Sequence, residues 1–174
     1  LPGYFTSVHG VLQPGGLFLN HGIVSVEASH PLSLSQHIER KLWRRDAFID
    51  QYVFPDGKLG PFHSVVGSAE GSGFETRDVE SLREHYVLTL REWVKRLESC
   101  EAEATALVGQ HAYRVWRLYM TAACYGFAHG RLNVLQTLFS KPRNGDAMLP
   151  LTRADLYAAP DTSVASGTFA RSGR

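Results

Sequence analysis

The stretch Gly16-Leu17-Phe18-Leu19-Asn20-His21-Gly22-Ile23 decides how this chain reads. It leaves a Pro14-Gly15-Gly16 turn, runs apolar through Leu17, Phe18 and Leu19, and then turns polar. A short continuous apolar run is the pattern of a strand buried on both faces of a parallel sheet. Asn20 and His21 fall where such a strand ends, and in open α/β sheets ligands bind just beyond the carboxyl ends of the strands. His21 is therefore either a hydrogen-bonded strand-end residue or a group that carries chemistry.

Working outward, Phe5, Val8 and Leu12 recur at helical spacing before the turn, so 4–12 reads as the end of a helix. Downstream, Ile38, Leu42 and Ile49 predict a helix over 34–53. Inside it, Arg40-Lys41-Leu42-Trp43-Arg44-Arg45 is either a solvated face or a contact for an anionic membrane surface. The cluster Pro55-Asp56-Gly57 and Gly60-Pro61 predicts an ordered loop around Phe54. A short helix over 62–72 and a strand over 74–79 follow. Tyr86, Leu90, Trp93, Val94 and Leu97 then mark one helix face. Tyr113, Trp116, Tyr119, Met120, Ala123, Cys124 and Phe127 mark another, an aromatic stripe that suits a core or an apolar tunnel. Leu132 begins a last strand that ends at Lys141-Pro142.

Residues 1–142 form the α/β part, and the Gly-, Ser- and Ala-rich residues 143–174 read as a disordered tail. Three strands are too few for a free-standing doubly wound sheet, and no initiator methionine precedes Leu1-Pro2-Gly3. We therefore expect a piece of a longer protein, the second half of such a sheet.

The 174 residues are 44% hydrophobic and 20% charged, with net charge +1, which leaves no global case for nucleic acid. Cys100 and Cys124 are too few for a disulfide framework, and both fall in helical sequence, which suits a reducing, cytoplasmic setting. None of the eight histidines pairs at helical i, i+4 spacing, so a metal site is not expected. There is no glycine-rich strand-to-helix fingerprint for a nucleotide and no phosphate loop.

Five segments in series carry a resemblance: LFLNHGI (17–23), FIDQYVFPDGKL (48–59), GFETRDVESLREHY (73–86), TLREW (89–93) and YRVWRLYMTAACYGF (113–127). Together they resemble the C-terminal half of the cyclopropane-fatty-acyl-phospholipid synthases and mycolic acid cyclopropane synthases, over about residues 1–142. The resemblance implies a class I S-adenosylmethionine-dependent methyltransferase, an α/β Rossmann-like fold with a reversed last strand and inserted helices. The three strands here would be its fifth, sixth and seventh. The cofactor loop would lie upstream, so no cofactor-binding residue is assigned.

The implied reaction transfers the methyl group of S-adenosylmethionine to the double bond of an unsaturated phospholipid acyl chain. A carbocation forms, and loss of a proton closes a cyclopropane ring. The implied base is a bound bicarbonate in a dry pocket. His21 matches the family's anion-binding histidine, Ile23 the position offering its backbone amide, and Tyr86 the tyrosine whose hydroxyl completes the site. Phe54 and Tyr119 match positions near the reacting part of the acyl chain. Ala123 stands where many members have a cysteine, with Cys124 its neighbour, and Gly60 replaces a usual proline. The resemblance further implies peripheral membrane contact at the inner, cytoplasmic face, and it allows a homodimer. Related chemistries stay open: a methyl or methylene branch on a lipid, N-methylation of a small amine, or a catalytically incomplete lipid-binding relative.

Overall fold

Pro2–Val11 forms helix α1, with Pro2 in the first turn, where a missing N–H costs nothing. The computed structural model describes residues 1–26, 51–55, 57 and 59–158, and of residue 155 only the backbone. The basic cluster around Trp43, and the helix expected over 34–53 apart from its last residues, lie outside that range. So do Asp56 and Lys58.

The chain leaves α1 through Gly15, whose φ of +84° only glycine adopts without strain. It then enters strand β1 (Leu17–Ser25). After the 59–61 connection come helix α2 (Phe62–Glu70), strand β2 (Glu75–Ser81) and helices α3 (Arg83–Ser99) and α4 (Glu101–Ala128). Strand β3 (Leu132–Ser140) follows, and the four-residue helix α5 (Ala154–Tyr157) comes last. Helix α4 is broken at Gly109 (φ 81°, ψ 157°). The contacts 83–127, 87–124 and 98–117 run in opposite directions, so α3 and the longer part of α4 are antiparallel.

The sheet has the order β1-β3-β2, with β3 antiparallel to both neighbours. β1 and β2 are therefore parallel to one another, with the last strand reversed between them. The reversed last strand is what the resemblance implies.

Side chains alternate across a strand, and here each face has its own helical layer. Phe18 and Phe139 face α1 and α2, where they pack with Phe5, Ala69 and Phe74. Phe5 is fully buried, with Phe139 edge-on to it at 5.6 Å. Such pairs contribute about 0.5–1.5 kcal/mol beyond burial. Ile23 and Val134 face the other way, against Val87 and Leu90 of α3 and Ala123 and Phe127 of α4.

The expectation of a strand buried on both faces among parallel neighbours needs correcting. β1 pairs with an antiparallel strand, and Leu17 and Leu19 are 44% and 54% exposed. The reason is coverage: α3 and α4 meet the sheet at the Ile23 end and leave the other end of that face open. Apolar composition alone does not reveal which face is covered.

The change of composition at Arg143 does not end contact with the sheet. Arg143 and Asp146 bridge a tight turn, Ser140 Oγ donates to the Ala147 carbonyl at 2.9 Å, and Arg153 pairs with Asp78 at 2.7 Å. Residues 159–174 lie outside the described range.

Candidate active site

His21 and Ile23 are two residues apart on β1 and therefore share a face. Their partners across the sheet are Gln136 and Val134. The His21 side chain is open to solvent, and its nearest polar neighbour is Gln136, with Nε2 3.4 Å from His21 Nδ1. That is longer than a good hydrogen bond, so the imidazole is weakly held. Ile23 is half-buried against the Val87–Leu90–Phe127 cluster.

The direction of the Ile23 amide follows from the ladder. Val26 N–H donates to Arg131 at the β3 side, whereas Ser25 N–H donates the other way, to the Gly60 carbonyl. Backbone donors alternate along a strand. The Ile23 N–H therefore points, like that of Ser25, to the outer edge of β1, away from β3. Among the described residues no strand pairs with that edge. Among the described residues that amide is therefore not used by the β1–β3 ladder.

Tyr86 sits one turn into α3, its N–H bonded to the Leu82 carbonyl at 2.9 Å. Its ring packs edge-on to Phe127 at 4.9 Å and lies 6.0 Å from Trp93. Tyr119, on α4, packs against the same core cluster as Ile23 and Tyr86. Phe54 approaches Tyr119 from the loop, with ring centroids 5.7 Å apart at 81°, and Trp116 flanks Tyr119 at 5.7 Å.

The fold thus gathers Ile23, Tyr86 and Tyr119 on one cluster, adds Phe54 through Tyr119, and sets His21 on the same strand face. No hydrogen bond joins His21 to Tyr86 among the described residues. An imidazole, an amide N–H and a phenol hydroxyl are each the kind of donor from which an oxyanion accepts. Among the described residues no group of three His, Cys, Asp or Glu side chains is placed to hold a metal. Nor do the described residues fit the S-adenosylmethionine cradle. β2 enters α3 through Leu82 alone, without a glycine-rich turn.

Sequence reasoning missed two residues that support Tyr86. Phe127 stood in the aromatic stripe without a partner assigned. Arg83, whose Nη1 donates to the Phe127 carbonyl at 2.8 Å, stood in the segment 73–86 without a role assigned. An open polar recess of about 500 Å³ between α3 and α4 was also not foreseen; Glu98, Glu101, Tyr113 and Arg117 line it. Burial, and then the neighbouring Glu101 carboxylate, push the Tyr113 hydroxyl above the usual tyrosine range. Hydrogen bonding to Glu98 raises Arg117. Both ionisations belong to the recess and involve none of the β1 residues.

The family described as mycolic acid cyclopropane synthetase matches residues 1–137. A Pseudomonas putida protein named "Probable fatty acid methyltransferase" is 39% identical over 157 residues, 88% of this chain and 37% of its own length. Cyclopropane mycolic acid synthase MmaA2 of Mycobacterium tuberculosis is 28% identical over 142 residues, 79% of this chain and 48% of its own. The solved structure of MmaA2 superposes with a TM-score of 0.70. So does that of mycolic acid cyclopropane synthase CmaA1 complexed with SAH and CTAB, at 28% identity, 79% of this chain and 48% of its own. The chain spans less than half the length of these relatives.

Proposed function

The chain belongs to the mycolic acid cyclopropane synthetase family, and from that premise we propose that it is the C-terminal half of the catalytic domain of an S-adenosylmethionine-dependent enzyme that builds a cyclopropane ring on an unsaturated phospholipid acyl chain. The observation that carries this reading is the outward Ile23 amide, with His21 on the same strand face and Tyr86 on the same core cluster. These are three donors for one small anion. Bicarbonate, bound there, supplies the base. The His21 imidazole N–H, the Ile23 N–H and the Tyr86 hydroxyl each donate to it and fix its orientation. Phe54 and Tyr119 present ring faces to the positive charge that develops on the acyl chain, which aromatic quadrupoles steady by about 0.5–2 kcal/mol. The lipid substrate places the enzyme at the inner face of the membrane. No described helix is long and apolar enough to cross it.

A second reading keeps the same residues and ends in an open methyl branch. The name of the Pseudomonas putida relative favours it.

The test is to express the full-length protein carrying this chain in cells that lack the activity and to analyse their phospholipid acyl chains by gas chromatography and mass spectrometry. Gain of one CH2 as a ring is expected. An open branch selects the second reading. Unchanged lipids, with expression confirmed, overturn both.

A further inference from the structure

Arg83 is the first residue of α3, yet its guanidinium turns back across the helix pair. Nη1 donates to the Phe127 carbonyl at 2.8 Å and lies 3.5 Å from the Ala128 carbonyl, while Nη2 pairs with Glu84. Phe127 and Ala128 are the last two residues of α4, at the negative end of the helix dipole; the Phe127 carbonyl also accepts from Gly130 N–H, at 3.1 Å. A cation bonds well there.

The identity of the gripped residue is what matters. Phe127 is fully buried, and its ring is the surface on which Tyr86 rests at 4.9 Å. Tyr86 is three positions after Arg83 and so lies on the same side of α3. One residue is thus held through its carbonyl by Arg83 and carries Tyr86 on its ring. The residue before Arg83 is fixed as well: Leu82 N–H donates to the Val134 carbonyl at 2.9 Å, and Val134 is the cross-strand partner of Ile23. The start of α3 is therefore tied to the strand partner of Ile23 and to the ring beneath Tyr86.

We propose that Arg83 is a positioning residue for Tyr86, setting the hydroxyl relative to the Ile23 amide; this rests on the reading of Tyr86 as an anion donor. Arg83 touches neither substrate nor anion. Its planar fork serves two carbonyls and Glu84 together, which the single ammonium of lysine does not.

The test is a double-mutant cycle in the full-length protein, with Arg83→Met, Tyr86→Phe and the pair, plus Arg83→Lys as the milder variant if Arg83→Met does not fold. kcat and KM are measured on vesicles of an unsaturated phospholipid, and amide hydrogen exchange on each protein without substrate. Arg83→Met is expected to lower kcat about tenfold with little change in KM, the scale of loss from a displaced catalytic group. In the Tyr86→Phe background it is expected to lower kcat less than about twofold, because the group it positions is already gone. Exchange in the first turn of α3 is expected to quicken in both backgrounds. Arg83→Lys is expected to fall between wild type and Arg83→Met. An equal fold-loss of kcat in both backgrounds overturns the proposal and leaves Tyr86 as an anion donor intact. Unchanged exchange in α3 also overturns it. A Tyr86→Phe protein with wild-type kcat removes the anion-donor reading, and the proposal with it.

Discussion

Neighbouring residues on β1 should fail in opposite ways, because one is read as acting through its side chain and the other through its backbone. His21 is exposed and makes one long contact, at 3.4 Å to Gln136. Replacing it with alanine removes little from the fold, about 0.5 kcal/mol or less as for surface sites generally. If the imidazole donates to a bound anion, the same change removes a hydrogen bond to a charged group, worth about 1.5–3 kcal/mol. At about 1.4 kcal/mol per tenfold, that is a loss of roughly 10- to 150-fold in kcat. Ile23 is half-buried against Val87, Leu90 and Val134, and its amide direction is set by the ladder rather than by its side chain. Ile23→Val should cost about 0.5 kcal/mol, the low end for that change at a partly buried site, and should leave kcat within about threefold. The assay is transfer of a labelled methyl group into phospholipid vesicles by the full-length proteins, with thermal melts run beside it. A folded His21→Ala protein retaining kcat within about threefold of wild type would refute the reasoning. A His21→Ala protein that loses its stability together with its activity would refute it equally, because the loss would then be structural.

Phe54→Ala should lower transfer by about 2- to 30-fold, the range of a lost cation–ring contact, with little loss of stability, since Phe54 is 46% exposed. Phe54→Leu should not restore the rate; full recovery would mean that the ring provides only apolar bulk beside Tyr119. Lys141→Met removes two hydrogen bonds, to the His9 and Leu12 carbonyls at 2.8 Å each, at the C-terminal end of α1. It should destabilise the fold by about 1–3 kcal/mol, read as a lower urea midpoint; an unchanged midpoint contradicts this. Tyr113 keeps its proton to higher pH folded than unfolded, because burial and then Glu101 raise its value. Its contribution to stability is thus complete below the ordinary 10.0 and is lost as pH rises through the folded value. Melting temperature should therefore fall less steeply above that pH in Tyr113→Phe than in wild type, and parallel curves would contradict the assignment.

Local chemistry was enough to locate the three strands and the longer described helices. Leu132 to Ser140 reads as a strand because it is rich in β-branched and long apolar side chains and stops at Lys141-Pro142, and the strand occupies those residues. Phe5, Val8 and Leu12 mark the buried face of α1 because helical spacing reports a face directly, and they do pack together. The placement of His21 and Ile23 on one face of β1 follows from strand alternation alone. What sequence could not decide was partnership. The direction of the Ile23 amide depends on which edge of β1 pairs with β3, and the exposure of Leu17 and Leu19 on how far α3 and α4 reach along the sheet. The support beneath Tyr86 comes from Phe127, and the grip on Phe127 from Arg83, 44 residues earlier in the chain. Periodicity reports which side of an element is buried, because that depends on neighbours a few residues away. It is silent on what the buried side meets, because those contacts form only when distant elements pack.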